Sequence, residues 1–151
     1  MPVAPVPVPG FARPRPDLFS GGQPGPGDWA RLRAAGVTRV VSLRTPAETA
    51  GRDVAAEARA AGLAYVSLPV DGAAGITDGN ARALWDLVGA PGPGSTLVHC
   101  ASGNRVGALL ALGAARAGAM SPEAALAFGR DAGLAGLESR VRALLGLAPA
   151  E

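Results

Sequence analysis

With 151 residues, the chain is long enough for one domain that buries its own core. Its 14 basic residues are all arginine and are scattered, and the net charge is only +2, so no basic stripe suggests a nucleic-acid partner. The single cysteine excludes an internal disulfide, and with only one histidine beside it the chain cannot supply the about four nitrogen or sulfur ligands of a structural zinc site. The composition therefore predicts a protein without a metal, and no other cofactor is expected.

The apolar segments are short. Residues 106–115 form the longest apolar stretch, well below the roughly 20 residues that span a bilayer, so no membrane partner is expected. Residues 1–9 are rich in proline and lack the basic and uninterrupted apolar regions of a signal peptide. A cytoplasmic location is expected, or a periplasmic one if a signal precedes this sequence. Residues 1–16 are predicted to be a proline-rich flexible arm, and residues 17–148 the folded domain.

The first predicted elements alternate between strand and helix. Asp17–Gln23 is predicted as a short edge strand, and Asp28 is predicted to cap a helix that ends at Gly36. A strand buried on both faces is then expected at Val37–Leu43. A second helix is expected at Pro46–Ala61 and a second buried strand at Leu63–Leu68.

The second half continues the same alternation. Thr77 is predicted to cap a helix whose apolar stripe runs through Ala81, Leu84, Trp85 and Val88, and this stripe is assigned to the core. A short strand is expected at Thr96–His99, followed by a helix at Arg105–Gly118 that is apolar on all sides. Two further helices are expected, one from Ser121-Pro122 onward and one at Leu137–Leu147.

This order predicts an α/β fold with a mostly parallel central sheet of four to five strands and helices on both faces. In such sheets, ligands bind at the carboxyl ends of the strands. Cys100 directly follows the predicted strand that ends at His99. The sequence therefore directs attention to the turn between this strand and the next helix.

That turn has the composition of an anion-binding loop. Residues 101–106 (Ala101, Ser102, Gly103, Asn104, Arg105 and Val106) offer six consecutive backbone N–H groups, several of them at the start of a helix, where the helix dipole favours an anion. Gly103 permits the backbone angles of a cradle, and the Arg105 guanidinium matches two oxygens of a tetrahedral oxyanion. The same positive potential is expected to favour a Cys100 thiolate, which makes this residue a candidate nucleophile.

Two side chains of the loop have alternative explanations. Cys100 is alternatively a buried thiol in a turn, and Arg105 is alternatively the structural ion-pair partner of Glu48. His99, on the opposite side of the strand, is expected to support the loop by hydrogen bonds rather than to act as a base. Ser102 and Asn104 are expected to shape the loop, and a contact with phosphate or with the thiolate is the alternative for Ser102.

The segment His99-Cys100-x-x-Gly103-x-Arg105 resembles the signature loop of cysteine-dependent protein-tyrosine and dual-specificity phosphatases. A closer likeness is to small bacterial phosphatase-like domains related to the N-terminal part of β-lactamase hydrolase-like proteins. That likeness extends from about Phe19 to the last helix. It also includes Gly22-Gln23-Pro24, Val41-Ser42-Leu43-Arg44 with Glu48, and residues 65–70.

The resemblance implies a dual-specificity-phosphatase-like fold and a role for each site residue. Cys100 would attack phosphorus to form a phosphocysteine, and Arg105 with the loop amides would hold the phosphate oxygens. Asp71, 29 positions before Cys100, is placed like the general acid of these enzymes. An ordinary turn role before Gly72 is its alternative, and Asp78 is a second candidate acid, although it is better explained as a first-turn helix residue.

The sequence departs from the main phosphatase group in two places. Four residues rather than five separate Cys100 from Arg105, and Val106 replaces the usual serine or threonine that helps to expel the thiolate. The second departure predicts a slow second step.

The expected activity is hydrolysis of a phosphoric monoester, with a phosphorylated protein or a small aryl phosphate as substrate. Two alternatives remain: a sulfurtransferase that carries a persulfide on Cys100, and a recognition module that binds phosphate without turnover. The sequence does not indicate an oligomeric state.

Overall fold

The structure, a computed structural model, describes residues 8–90 and 92–149. The strands in these ranges are β1 (Ala12–Arg15), β2 (Leu18–Gly21), β3 (Val37–Ser42), β4 (Ala64–Ser67) and β5 (Ser95–His99). The α-helices are α1 (Asp28–Ala34), α2 (Val54–Ala60), α3 (Asp78–Gly89), α4 (Asn104–Arg116), α5 (Pro122–Ala132) and α6 (Glu138–Leu144), and a short 3-10 helix covers Gly72–Gly75.

The five strands form one sheet in the order β1-β2-β5-β3-β4. β2, β5, β3 and β4 are parallel, and β1 pairs antiparallel with β2 at one edge. The predicted α/β architecture with a mostly parallel sheet is therefore confirmed. β5 lies at the centre, so the turn that follows it is flanked by the ends of β2 and β3.

Each face of the sheet has its own apolar layer. Successive side chains of a strand point to opposite faces, so Leu97 packs in the layer that contains α1 and α2, whereas Val98 packs in the layer that contains α3 to α6. Because β3 and β5 are apolar on both faces, they need helices on both sides, and the alternating helices provide them.

Helix α4 lies inside the domain, as its apolar composition predicts. Every residue from Val106 to Ala114 is buried. The helix crosses α5 closely because glycines face each other at the crossing: a Cβ at Gly107 would lie 2.4 Å from the Gly129 carbonyl oxygen. Within the described chain, none of the helices combines the length and apolar character needed to cross a bilayer.

Two of the three predicted N-cap residues are confirmed. The Thr77 hydroxyl accepts a hydrogen bond from the Asn80 N–H, and the Ser121 hydroxyl accepts one from the Ala124 N–H, as N-caps do. The prediction for Asp28 is wrong, because the cap position is Gly27 and the Asp28 carboxylate instead accepts from the Gly25 N–H.

The N-terminal side of the sheet differs from the prediction. β2 is an inner strand, and the edge is β1, which lies within the segment predicted as a flexible arm. Pro14 is tolerated there because an edge strand has unpaired positions on its outer side. Val8 is also buried, in the α1–α2 layer. Residues 1–7 of the predicted arm lie outside the described residues.

Two further predictions need correction. The helix predicted over Pro46–Ala61 covers only Val54–Ala60, because residues 46–51 form turns that end at Gly51 (φ 87°) and Asp53 caps the helix by accepting from the Ala56 N–H. The strand predicted as buried, β4, is the other edge of the sheet and is partly exposed. The other predicted elements differ only at their ends.

Candidate active site

The loop between β5 and α4 starts from a fixed point at the centre of the sheet. The Cys100 N–H donates to the Gly21 carbonyl at 3.1 Å, and the His99 carbonyl accepts from the Leu43 N–H at 2.9 Å. The ends of β2 and β3 therefore hold the start of the loop from both sides. Cys100 itself is buried, with 1% of its surface exposed.

The loop turns back over the sulfur. Gly103 has φ 93°, a left-handed conformation that favours glycine, and its N–H points at Cys100 Sγ with a distance of 3.0 Å. α4 begins with the next residue, so the unpaired N–H groups of its first turn face the same region. Such donors stabilise a negative charge on sulfur or on a bound oxyanion. Ala101 and Ser102 are exposed at the outer side of the loop, whereas Val106 is fully buried below it.

The segment after β2 supports the outer side of the loop. Gly22 forms an isolated antiparallel bridge with Ser102. A Cβ at Gly22 would lie 2.5 Å from the Ala101 carbonyl oxygen, so only glycine allows this contact. The Gly22-Gln23-Pro24 segment thus helps to fix the path of the loop.

The segment after α5 supports the other side. The Asn104 side-chain oxygen accepts from the Ala135 N–H at 2.8 Å and from the Leu137 N–H at 3.3 Å. A Cβ at Gly133 would lie 2.8 Å from the Gly103 carbonyl oxygen. The Asn104 side chain is thus used to anchor the loop, in agreement with its predicted role in shaping it.

Arg105 forms an ion pair with Glu48 through one edge of its guanidinium. Nη1 donates to Oε1 at 2.7 Å and Nη2 donates to Oε2 at 2.6 Å, and Nη1 also donates to the Val70 carbonyl at 2.8 Å. A guanidinium has five N–H donors, so these bonds leave Nε–H and one Nη2 N–H, which form the side edge of the group. This side edge is available to Cys100 Sγ or to two oxygens of a tetrahedral anion.

The guanidinium also lies beside the sulfur. The pKa of Arg105 is raised, mainly by its hydrogen bond to Glu48 and in addition by attraction to and hydrogen bonding with Cys100. The ion pair with Glu48 that the sequence offered as an alternative is therefore formed. This ion pair is compatible with an anion-binding role of Arg105, because Glu48 binds only the edge formed by Nη1 and Nη2.

Glu48 is held as a carboxylate by several donors. Its hydrogen bond with Arg105 is the main cause of its pKa of about 2. Burial opposes this shift as the second-largest effect, and the backbone N–H and hydroxyl of Thr45 lower the pKa further. The Thr45 N–H donates to Oε1 at 3.0 Å and its hydroxyl at 3.2 Å. A fixed carboxylate at this point sets the orientation of the Arg105 guanidinium.

Asp71 lies one residue beyond the carbonyl that Arg105 binds. Its side chain is exposed, at the start of the 3-10 turn Gly72–Gly75. Asn80 donates to the Gly75 carbonyl at 2.8 Å, which holds this turn to α3. The Arg105–Val70 hydrogen bond therefore ties the segment of the candidate acid to the loop of the candidate nucleophile.

Asp78, the second candidate acid, is engaged elsewhere. Its carboxylate pairs with Arg116 at 3.0 Å, at the opposite end of α4 from the loop. It also stands in the first turn of α3, where a negative charge is favourable. The structure therefore supports the helix role that the sequence preferred for Asp78.

His99 lies behind the loop, in the layer of α1 and α2. Its ring meets Trp29 edge-on with centroids 6.4 Å apart, whereas Cys100 belongs to the core on the other face of the sheet. Its Nδ1 is 3.3 Å from the Cys100 carbonyl oxygen, as a supporting hydrogen bond requires. Burial lowers the pKa of His99 to about 4, with a smaller contribution from nearby arginines, so the imidazole is neutral at pH 7.

The architecture of the chain matches a known fold. The chain has the fold of protein-tyrosine and dual-specificity phosphatases, with a five-stranded sheet and the loop at the carboxyl end of its central strand. It is similar to a candidate phosphatase from Neisseria meningitidis, with a TM-score of 0.74 and 18% identity, over 89% of this chain and 96% of that one. It is also similar to a DUF442 candidate phosphatase from Shewanella putrefaciens, with a TM-score of 0.69 and 23% identity, over 91% and 89% of the two chains.

A third similar structure contains a ligand. TpbA from P. aeruginosa, solved in complex with phosphotyrosine, has a TM-score of 0.69 and 21% identity, over 93% of this chain and 85% of that one. No protein-family model and no curated protein matches the sequence.

Some contacts at the site were not predicted from the sequence. Gln23 and Arg44 join the supports of the loop, and the Val70 carbonyl binds Arg105. Arg44 and Glu48 have the spacing of a helical ion pair, which gave a weak signal, but the residues between them form a turn. A backbone carbonyl such as that of Val70 leaves no signal in a sequence.

Proposed function

We propose that this protein is a cysteine-dependent phosphatase that hydrolyses phosphoric monoesters. The observation that carries the proposal is the placement of Cys100 Sγ, which accepts a hydrogen bond from the Gly103 N–H and interacts with the Arg105 guanidinium, whose side edge is not used by Glu48. A nucleophile, a ring of amide donors and a planar cation thus surround one position where a phosphate can be held. The phosphatase fold of the chain supports the same activity.

In the first step, the Cys100 thiolate attacks phosphorus in line with the ester oxygen. A sulfur–phosphorus bond forms and the phosphorus–oxygen bond to the leaving group breaks, while Arg105 and the amides of residues 101–106 hold the other oxygens. Asp71 donates a proton to the leaving oxygen. The hydrogen bond from Arg105 to the Val70 carbonyl supports this assignment, because it holds the neighbouring residue at the edge of the site.

In the second step, water attacks the phosphocysteine. Asp71, now a carboxylate, accepts a proton from the water, and the sulfur–phosphorus bond breaks to release phosphate and the thiolate. Val106 presents no hydroxyl to the leaving thiolate and is fully buried. The second step is therefore expected to limit turnover.

Aryl phosphates are the proposed substrates, either as a phosphorylated tyrosine of a protein or as a small molecule. The phosphotyrosine complex of TpbA, a protein of the same fold, supports this choice.

Hydrolysis of p-nitrophenyl phosphate tests the proposal. The wild-type protein should hydrolyse it and be inhibited by vanadate, and Cys100→Ser should abolish both hydrolysis and trapping of a phosphoenzyme. Arg105→Lys should raise KM and lower kcat, because an ammonium lacks the planar fork. A wild-type protein that binds phosphate but shows no hydrolysis and no phosphoenzyme would instead be a recognition module.

The role of Asp71 can be tested by varying the leaving group. Asp71→Asn should lower kcat/KM with phenyl phosphate by about a hundredfold, a typical contribution of a general acid, because kcat/KM reports the first step. With p-nitrophenyl phosphate, whose leaving group needs less protonation, the loss in kcat/KM should be much smaller. Asp78→Asn is the matched control and should change neither kcat/KM. An equal loss for both substrates would argue against Asp71 as the acid.

Sulfur transfer by the same cysteine is a second candidate function. The loop has one residue fewer than that of the main phosphatase group and lacks the hydroxyl after the arginine, and both departures weigh against efficient phosphate turnover. Cys100 would take the sulfane sulfur of thiosulfate as a persulfide, with release of sulfite, and pass it to an acceptor such as cyanide to form thiocyanate. Thiocyanate production that exceeds aryl phosphate hydrolysis, and that Cys100→Ser abolishes, would favour this function.

A further inference from the structure

Arg44 joins the two supports of the anion-binding loop, although it does not belong to the loop. It lies just beyond β3, and its side chain is 19% exposed. Nη1 donates to the Gln23 side-chain oxygen at 2.7 Å and Nη2 donates to the Glu48 backbone carbonyl at 3.0 Å. Nε lies 3.4 Å from Glu48 Oε2. One guanidinium thus binds two segments that are distant in sequence.

Each of these segments contacts the loop directly. Gln23 follows Gly22, which forms the bridge with Ser102 and contacts the Ala101 carbonyl. Glu48 binds the end of the Arg105 guanidinium. Loss of Arg44 would therefore release the outer side of the loop and the carboxylate that orients Arg105 together.

The charges give Arg44 a second effect. Glu48 alone would neutralise Arg105, because the pair is bidentate and the pKa of Glu48 is about 2. Arg44 also contacts Glu48, so the three side chains together carry a net charge of +1. This net positive charge attracts an incoming anion to the side edge of Arg105, beside the Cys100 thiolate.

We propose that Arg44 is a positioning residue, which orients Arg105 through Glu48 and maintains the attraction of the Cys100 loop for anions. The proposal rests on the proposed function in so far as the anion is a phosphoric monoester. It predicts an effect on anion binding, with little effect on a neutral reagent.

Alkylation of Cys100 gives a readout that does not need turnover. Cys100 is the only cysteine in the sequence, so every alkylated thiol is this one. Iodoacetate is an anion and iodoacetamide is neutral, and both react with the same thiolate. The ratio of their rates therefore measures the attraction of the loop for an anion and cancels changes in thiol ionisation.

The test compares Arg44→Met with Arg116→Met. Arg116 pairs with Asp78 at the far end of α4, so the control removes an ion-paired arginine without touching the loop supports. Arg44→Met should lower the iodoacetate-to-iodoacetamide ratio and raise the vanadate inhibition constant by about tenfold each, as removal of a partly buried charged partner does. Arg116→Met should change either value by less than about twofold. In the phosphatase assay the loss should appear mainly in KM.

Arg44→Lys serves as the second variant and covers the case in which Arg44→Met does not fold. It keeps the charge but cannot bind Gln23 and Glu48 together, so its alkylation ratio should lie between those of Arg44→Met and the wild type. A ratio equal to that of the wild type in Arg44→Met, or a ratio for Arg44→Lys outside these limits, would overturn the proposal.

The two proposals fail in different ways. If the wild-type protein shows a high alkylation ratio that depends on Arg44 but does not hydrolyse aryl phosphates, the positioning role stands and the phosphatase activity does not. If it hydrolyses aryl phosphates and the alkylation ratio and vanadate constant are unchanged in Arg44→Met, the positioning role alone is wrong.

Discussion

At the scale of single residues, the geometry of the site depends on the hydrogen bonds that a few polar side chains make. Arg105 gives one edge of its guanidinium to Glu48 and leaves the other for Cys100 and a bound anion. Asn104 uses its side-chain oxygen to anchor the loop to residues 135–137. Gly22 allows a close contact with the Ala101 carbonyl, and Gly103 adopts the left-handed backbone conformation that the turn needs. The chemistry thus depends on the side chains of Cys100 and Arg105, held by neighbours that do not react.

Val106→Thr tests whether the missing hydroxyl limits turnover. If breakdown of the phosphocysteine is slow, the wild-type protein should show a burst of p-nitrophenol followed by a slower steady rate. A hydroxyl at position 106 should raise the steady rate by about tenfold or more and reduce the burst, since a positioned proton donor typically contributes this much. Rapid-mixing absorbance measurements give both phases. Val106→Ala is the control, because it changes the side chain without adding a hydroxyl, and a similar acceleration in it would contradict the explanation.

His99 should make the stability of the fold depend on pH. Its pKa falls from 6.5 to about 4 on folding, so the unfolded chain binds the proton more tightly and stability is lost as pH falls below about 6.5. Between pH 7.5 and 5 this loss should amount to about 2 kcal/mol. Urea unfolding at several pH values measures it.

The control for this prediction is His99→Asn, whose side-chain N–H can still reach the Cys100 carbonyl but does not titrate. This substitution should remove most of the pH dependence of the unfolding free energy above pH 5. The measurement stays above that pH because Glu48, Glu57 and Glu138, each with a pKa of about 2, lose their stabilising pairs in more acidic solution. An unchanged slope in His99→Asn would show that another group is responsible.

At the scale of elements, α4 determines the position of the loop. It begins with Asn104, directly after the turn, and its buried sides pack against α3, α5 and the sheet. The glycines at its crossing with α5 allow the segment after α5 to approach the loop, where Asn104 binds it. The close packing of the two helices is therefore part of the construction of the site.

Gly107→Ala tests this packing. The added Cβ would lie 2.2 Å from the Leu134 backbone nitrogen and 2.4 Å from the Gly129 carbonyl oxygen, so the helices must separate. We expect a loss of stability of about 2 to 3 kcal/mol or more, together with lower activity. Thermal or urea unfolding provides the measurement.

Gly79→Ala is the matched control. Gly79 is in α3 and nothing lies within 4 Å of its Cβ position, so alanine there should stabilise the protein by about 0.5 to 1 kcal/mol. Equal effects of the two substitutions would show that the α4–α5 contact is not tight.

At the scale of the whole molecule, the site lies beside a strand of the sheet that is paired on both sides and covered on both faces. β5 is paired on both sides and covered on both faces, whereas β4 is an edge strand with partly exposed residues. Residues 44–53, which carry Arg44 and Glu48, leave the inner strand β3, form turns at 46–51 and lie next to this edge. The loop that holds Cys100 therefore follows the central strand, whereas the segment that orients Arg105 lies beside an edge strand.

Hydrogen exchange should reproduce this difference. Amides of β5 and the middle of α4 should exchange only on global unfolding, because they are buried in both apolar layers or between helices. Amides of β4 and residues 46–51 should exchange much faster. Mass-spectrometric exchange at pH 7 measures both sets, and equal protection of β4 and β5 would contradict this description.

A large part of the fold can be predicted from local patterns. The apolar strands, the caps at Thr77 and Ser121 and the buried helix after Cys100 each follow from a short stretch of sequence. The errors lie where distant segments compete with local preference. Residues 46–51 form turns rather than a helix, and in this segment Glu48 binds Arg44 and Arg105.

The sequence alone determined the alternation of strands and helices and the cysteine turn with its glycine and arginine, because hydrophobic period, caps and turn residues act over a few positions. Tertiary structure decided which strands lie at the edges of the sheet and how Glu48 and the Val70 carbonyl share the Arg105 guanidinium. It also decided which edge of that guanidinium they leave for other partners. These features depend on segments that meet only after strand pairing and helix packing, and no local pattern specifies the distance at which they meet.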